Sequence, residues 1–123
     1  MIDNIEEPVA SAIVTWPSPE QGGRRSGPPT APVYAANCTF PMGGEAEVAT
    51  DWPATAEKFS LLLQLVTEMP TGAWACKLDF LARDLAIRHL RPGARMLVLE
   101  GPKVVGHARI VEVFLDVDAG EFP

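Results

Sequence analysis

The sequence contains two histidines, His89 and His107. Catalysis by a side-chain nucleophile would need one of them next to that nucleophile and to an orienting group. His107 lies in a segment rich in β-branched residues and His89 in an arginine-rich one, and neither has a partner suggested by its sequence neighbours. We therefore predict no catalytic residue and no enzymatic activity, and we interpret both histidines as structural or solvated.

Residues 83–95 carry four arginines against the single acid Asp84. A local excess of positive charge attracts phosphate groups or an acidic protein surface, although solvation or pairing with the chain's acids is the alternative. The binding residues predicted in this loop are Arg83, Arg88 and Arg91. An alternative hypothesis is a small enzyme or ligand-binding barrel that uses His89 with this loop.

The glycine-rich stretch at residues 22–27, GGRRSG, invites comparison with a phosphate-binding loop. Such a loop needs the spacing GxxxxGK[ST] and must open a helix. That spacing is absent, and Pro28 and Pro29 follow directly. We predict a turn at Gly22 and Gly23, then an irregular loop stiffened by prolines, and no bound nucleotide.

Neither a metal nor a cofactor is predicted. Cys38 and Cys76 are far apart and lack a CxxC partner, so we expect two buried, small hydrophobic side chains. Two carboxylate pairs with i, i+2 spacing are interpreted as solvated: Glu45 with Glu47, and Asp116 with Asp118.

Composition indicates one globular domain. The chain has 123 residues, of which 47% are hydrophobic, and a net charge of −6, which argues against a surface that binds polyanions throughout. The longest apolar stretch, residues 59–66, is far shorter than the ~20 residues needed to span a bilayer. We expect a cytoplasmic protein without a membrane partner, divided into a flexible lead-in at residues 1–8, a β-barrel domain at 9–117 and a tail at 118–123.

Strands are the predicted elements. Residues 74–80 alternate between apolar and polar side chains, which predicts one buried face, and 95–100 form an apolar run typical of burial on both faces. Further strands are predicted at residues 9–16, 33–40 and 103–114. Pro92 and Gly93 predict a turn, and Gly101 with Pro102 predicts a two-residue type II′ hairpin, since glycine accepts the positive φ of its first central position.

Residues 54–69 allow two interpretations. Their leucine-rich composition and a capping pattern slightly favour a helix, whereas apolar residues at every second position from Phe59 also fit a strand.

Taken together, these segments resemble the C-terminal β-barrel, the third domain, of elongation factor Tu. The resemblance rests on Glu20 and the Gly-Gly-Arg turn, on the Pro-Gly turn, and on the sequence LEGPKVVG that contains the hairpin. It covers residues 9–115. It implies an all-β, six-stranded antiparallel Greek-key barrel, in which residues 59–66 form a strand.

In that family the barrel helps to hold the stem of a tRNA and touches protein partners. The resemblance therefore implies that Arg24 and Arg25 are binding residues. The family's arginine and glutamine in the following loop are replaced at residues 29–34, PTAPVY, and the net charge is negative. We accordingly expect a binding module whose partner is a protein, with an RNA stem as the alternative, in a process related to translation. The GTPase motifs of the full factor are absent.

Overall fold

The computed structural model describes residues 4–41 and 57–114, which form a closed antiparallel barrel of six strands. The strands are β1 (Ala10–Thr15), β2 (Tyr34–Thr39), β3 (Phe59–Glu68), β4 (Trp74–Phe80), β5 (Arg95–Glu100) and β6 (Lys103–Val113). Their order around the barrel is β1-β4-β3-β2-β5-β6. Strands β2, β3 and β4 follow one another, and β1 lies beside β4, which is a Greek-key arrangement. The predicted all-β barrel is confirmed.

One short helix, α1 (Arg83–Ala86), and a 3-10 turn at Ile87–His89 connect β4 to β5. The loop predicted there therefore contains two short helical turns. A second 3-10 turn, Pro19–Gln21, lies in the long connection between β1 and β2.

Alternating side chains fill the barrel. Every second residue of β4 is buried, from Trp74 to Phe80, and the intervening residues are partly exposed. In β5 all four residues from Met96 to Leu99 are buried, so the predicted burial on both faces is confirmed. Both cysteines are buried as expected, and burial raises the pKa of each thiol to about 12.

Strand β3 resolves the ambiguous segment. The local preference for a helix is wrong, because Phe59, Leu61 and Leu63 point into the barrel at strand spacing while Ser60 is exposed. Burying these three side chains requires pairing with β2 and β4, and such tertiary contacts outweigh local propensity. Residues 54–56 lie outside the described residues.

The hairpin between β5 and β6 has the predicted two-residue loop, since Glu100 pairs with Lys103 and Gly101 has a φ of +59°. An irregularity follows, because Val98 pairs with Gly106 but Leu99 pairs with Val104. The extra residue, Val105, is a β-bulge, and it shifts the register of the rest of the hairpin by one position.

Strand direction defines two ends of the barrel. At the loop end lie the β1–β2 connection at residues 16–33, the β3–β4 turn at 69–73 and the β5–β6 turn at 101–102. At the helix end lie α1, the following 3-10 turn and the beginning of β1. The Arg24 and Arg25 pair and the Arg83–Arg91 group therefore lie at opposite ends.

Residues 4–8 lie against the barrel. Ile5 is 4% exposed, its amide donates to Gln64 Oε1 at 2.6 Å, and its carbonyl accepts from Lys77 Nζ at 3.2 Å. This part of the predicted lead-in thus contributes a buried residue. The predicted tail at 118–123 lies outside the described residues.

Candidate functional site

The arginine-containing loop at the loop end is held by its own contacts. Gly22 has a φ of +93°, and a Cβ on Gly23 would lie 1.8 Å from the carbonyl oxygen of Pro17, so the backbone passes where only glycine fits. Arg24 follows directly. Its Nε lies 2.7 Å from Glu100 Oε2, and its Nη1 donates to the Gly27 carbonyl at 2.6 Å.

Tyr34 completes this network. Its hydroxyl donates to Glu100 Oε2, and the Arg24 guanidinium lies 5.4 Å from the centre of the Tyr34 ring. Burial and the hydrogen bond to Glu100 raise the pKa of Tyr34, while the Tyr34 hydroxyl and then Arg24 lower the pKa of Glu100. Arg24 thus fixes the loop onto β2 and β5, whereas Arg25 is exposed.

At the helix end, too, one predicted arginine is engaged by other residues of the fold and the others are exposed. Arg83 Nε lies 2.9 Å from Asp79 Oδ1, and its Nη2 donates both to Asp79 Oδ2 at 3.0 Å and to the Glu7 carbonyl at 2.8 Å. The hydrogen bonds that Arg83 donates to Asp79 raise the pKa of Arg83. Arg88 and Arg91 are exposed, and neither forms an ion pair with another described residue.

His89 belongs to an aromatic cluster. Its ring stacks on Phe40, with centroids 5.0 Å apart and planes 12° apart, and lies 5.2 Å from Phe59. Within the described part of the chain His89 makes no hydrogen bond. The nucleophile, base and orienting group of the enzyme hypothesis are therefore not assembled around His89 by those residues.

A different group of side chains forms the strongest candidate site. Arg95 on β5 is the direct cross-strand partner of Arg109 on β6, and His107 is exposed two residues before Arg109. On the other side of β6, Ile13 pairs with Arg109 and Thr15 pairs with His107. We call Arg95, His107, Arg109, Ile13 and Thr15 the cationic face.

Two open grooves meet on the cationic face, because both are lined by Arg95 and His107. One has a volume of about 400 Å³, and the other has a volume of about 420 Å³. Leu97, Val104 and Pro17 line the first groove with the polar Gln21, and Ile13 lines the second with Thr15 and Arg109. Apolar side chains thus lie on both sides of a cationic centre at Arg95.

The charges on this face are uncompensated by the described residues. Neither Arg95 nor Arg109 has an ion-pair partner among them. The described acid next along β6, Glu112, pairs in register with Ser11 rather than with an arginine. Like charges directly opposite one another on neighbouring strands destabilise a sheet. Two guanidinium groups in this position are suited to bind an anion, since each offers a planar fork of donors to a carboxylate or a phosphate.

Sequence reasoning found only part of this face. Arg95 lies in the arginine-rich stretch, but Arg109 was not predicted, and His107 was interpreted as structural or solvated. The signal was present, because exposed residues 107 and 109 alternate along the predicted strand. The position of Arg109 opposite Arg95 depends on the bulge at Val105, which was not predicted.

No three His, Cys, Asp or Glu side chains among residues 4–41 and 57–114 are grouped so as to hold a metal ion. None of the helices in those ranges has the length and hydrophobicity needed to cross a bilayer. The carboxylate pairs Glu45/Glu47 and Asp116/Asp118 lie outside those ranges.

Comparison with models of known protein families and with curated proteins gave no match. The class that the chain's own structure defines is a small closed β-barrel with a cationic outer face.

Proposed function

We propose that this protein is a non-catalytic, cytoplasmic binding module and that it binds a protein partner through the cationic face. The observation that carries this proposal is the cross-strand pair of Arg95 and Arg109, which no described acid neutralises. A sheet normally places opposite charges, or one charge and a neutral residue, at such positions because that arrangement is more stable. A pair that lowers stability is typical of a surface that serves binding.

A protein partner is favoured over RNA for two reasons. The chain has a net charge of −6, so an RNA backbone would be repelled over most of the surface. The cationic centre is also small and lies between apolar walls, whereas RNA stems are bound mainly through contacts to many phosphates and hydroxyls.

The proposal revises the predicted binding residues. Arg24 and Arg83 make intramolecular ion pairs, which supports a structural role for both. Arg25, Arg88 and Arg91 remain exposed and serve as comparison positions. The resemblance to the third domain of elongation factor Tu leads us to propose a process related to translation, with an RNA stem as the alternative ligand.

A capture experiment from the native host tests this proposal. The wild-type protein, the variant R95Q/R109Q and the matched control R88Q/R91Q are compared as immobilised baits, with chemical cross-linking and quantitative mass spectrometry. We expect a protein that is depleted by R95Q/R109Q and retained by R88Q/R91Q. If every protein captured by the wild type is also captured by R95Q/R109Q, the cationic face is not the binding surface.

A mobility-shift assay with tRNA provides the counter-test. Phosphate contacts are strongest at low salt, so binding to RNA should be visible there. We expect no shift at low salt. A shift that weakens with salt and is lost in R95Q/R109Q would show that the cationic face binds RNA, and the proposal of a protein partner would be wrong.

A further inference from the structure

The cationic face also indicates the chemistry of its ligand, an inference that rests on the proposed function. We propose that the segment bound there is an extended acidic peptide of a partner protein, with an apolar, an acidic and an apolar side chain at positions i, i+2 and i+4.

The order of side chains across the face supports this pattern. Arg95 lines both grooves, so the cationic centre lies where the grooves meet. On one side are Leu97 and Val104, and on the other side is Ile13. A ligand that fills both grooves must therefore offer apolar groups on either side of an anionic one.

The spacing suits an extended chain. Residues i and i+2 of a strand point to the same side and lie roughly 7 Å apart. Three side chains at i, i+2 and i+4 would thus span roughly 14 Å, enough to follow the diagonal from Ile13 on β1 past Arg109 on β6 to Leu97 on β5. The acidic side chain would accept hydrogen bonds from Arg95 or Arg109, and a carboxylate matches the fork of donors of a guanidinium.

Recognition would occur through side chains rather than through strand addition. Each of the six strands has two hydrogen-bonded neighbours in the closed barrel. Binding by β-augmentation needs an exposed sheet edge, whereas β6, the central strand of the cationic face, is paired with β1 on one side and with β5 on the other. The ligand must therefore lie across the outer surface, where charge and apolar grooves decide its sequence.

Fluorescence anisotropy with defined peptides tests the inference. The probe is a labelled nonapeptide with Leu, Glu and Leu at i, i+2 and i+4 in a background of Ser and Thr. Its controls carry Gln or Lys in place of Glu. We expect the Glu peptide to bind best, and we expect R95Q/R109Q to weaken its binding by about tenfold, a typical sum for two exposed ion pairs. The control R88Q/R91Q should change the affinity by less than about twofold.

A charge exchange separates binding from a purely structural effect. The variant R95E/R109E should no longer bind the Glu peptide and should bind the Lys peptide instead. A folding defect would not produce this new binding. Urea unfolding of each variant shows whether the barrel is retained. Equal binding of the Glu and Gln peptides by wild-type protein would overturn the inference.

The remaining outcomes are equally decisive. Competition by an RNA stem with the same dependence on Arg95 and Arg109 would assign the face to RNA. A sedimenting dimer that R95E/R109E dissociates would assign it to a second copy of the chain. If the capture experiment finds a partner that needs both arginines but no acidic peptide binds, the binding module stands and the peptide pattern is wrong.

Discussion

The loop end of the barrel and the cationic face use the same residue type in opposite ways. At the loop end, Arg24 lies 2.7 Å from a carboxylate that also accepts a hydrogen bond from Tyr34. On the cationic face, Arg95 and Arg109 lie opposite one another, and no described acid pairs with either. The first arrangement stabilises a loop, and the second reduces the stability of a hairpin.

This difference shows that a high density of arginines in a sequence does not identify the arginines that are free to bind a partner. The adjacent Arg24 and Arg25 looked like a binding element, yet Arg24 is engaged within the fold. Arg95 and Arg109 lie 14 positions apart in sequence, and strand register brings them together. Mutations at the two regions should therefore have opposite effects on stability.

The largest effect is expected for Gly23→Ala at the loop end. The new Cβ would lie 1.8 Å from the Pro17 carbonyl oxygen, so the backbone must move and the network of Arg24 with it. We expect a loss of about 3 kcal/mol in the free energy of unfolding, measured in urea. The matched variant Gly22→Ala, which meets no atom but needs a positive φ, should cost only about 1 kcal/mol. Equal costs for both variants would show that the close approach does not hold the loop.

Tyr34→Phe should have the next largest effect, about 1.5 kcal/mol at pH 7, because it removes a hydrogen bond to an ionised carboxylate. The pKa of Glu100 is lower in the folded state than its ordinary value of about 4.3. The stabilisation is therefore present above about pH 4.3 and is lost as the pH falls through the folded-state pKa. Urea unfolding of both proteins at several pH values should show the difference shrinking in acid. A difference that stays constant down to pH 2 would place the effect in packing instead.

Arg24→Gln should cost about 1 kcal/mol, since it removes an ion pair and a hydrogen bond to the Gly27 carbonyl that are both partly exposed to solvent. Thermal unfolding measures this loss. The adjacent Arg25→Gln is the control, and its effect should stay within about 0.5 kcal/mol. A larger cost for Arg25 than for Arg24 would reverse our assignment of the two residues.

The smallest effect, and the only one of opposite sign, is expected for Arg109→Gln. Removing one of two facing cations should stabilise the barrel by about 0.5 kcal/mol at low salt. Salt screens exposed charges, so this gain should fall in 1 M NaCl. The control Arg88→Gln should leave the free energy of unfolding unchanged both at low salt and in 1 M NaCl. A loss of stability in Arg109→Gln would mean that Arg109 has a compensating partner.

Much of the fold could be predicted from the sequence because barrel strands reveal themselves locally. The alternation from Trp74 to Phe80 marked β4, and Gly101 marked the hairpin that joins β5 to β6. The candidate site could be predicted only in part. Its geometry depends on the bulge at Val105: without this extra residue Arg95 would face Ala108, an inward residue, because a shift of one position reverses the faces. The local signal of the bulge was Gly106, because an isolated glycine inside a strand often marks one, but it does not say which neighbouring residue is extra.

The segment from Phe59 shows a second limit. Leucine-rich composition favours a helix when considered alone, and only the partners supplied by β2 and β4 make the strand more stable. Arg24 shows the same limit for charge, because its acid, Glu100, lies 76 positions away in sequence.

Closure of the barrel has a consequence for the order in which the chain can fold during synthesis. Of the six strands β1 is made first, yet its two neighbours are β4 and β6, and its pairs with β6 extend to Val113. The meander of β2, β3 and β4 can form early from near neighbours in sequence, whereas the ring cannot close until β6 has emerged. The first strand made is thus among the last to gain its full set of neighbours, and until then one side of β1 stays open to pairing with another nascent chain.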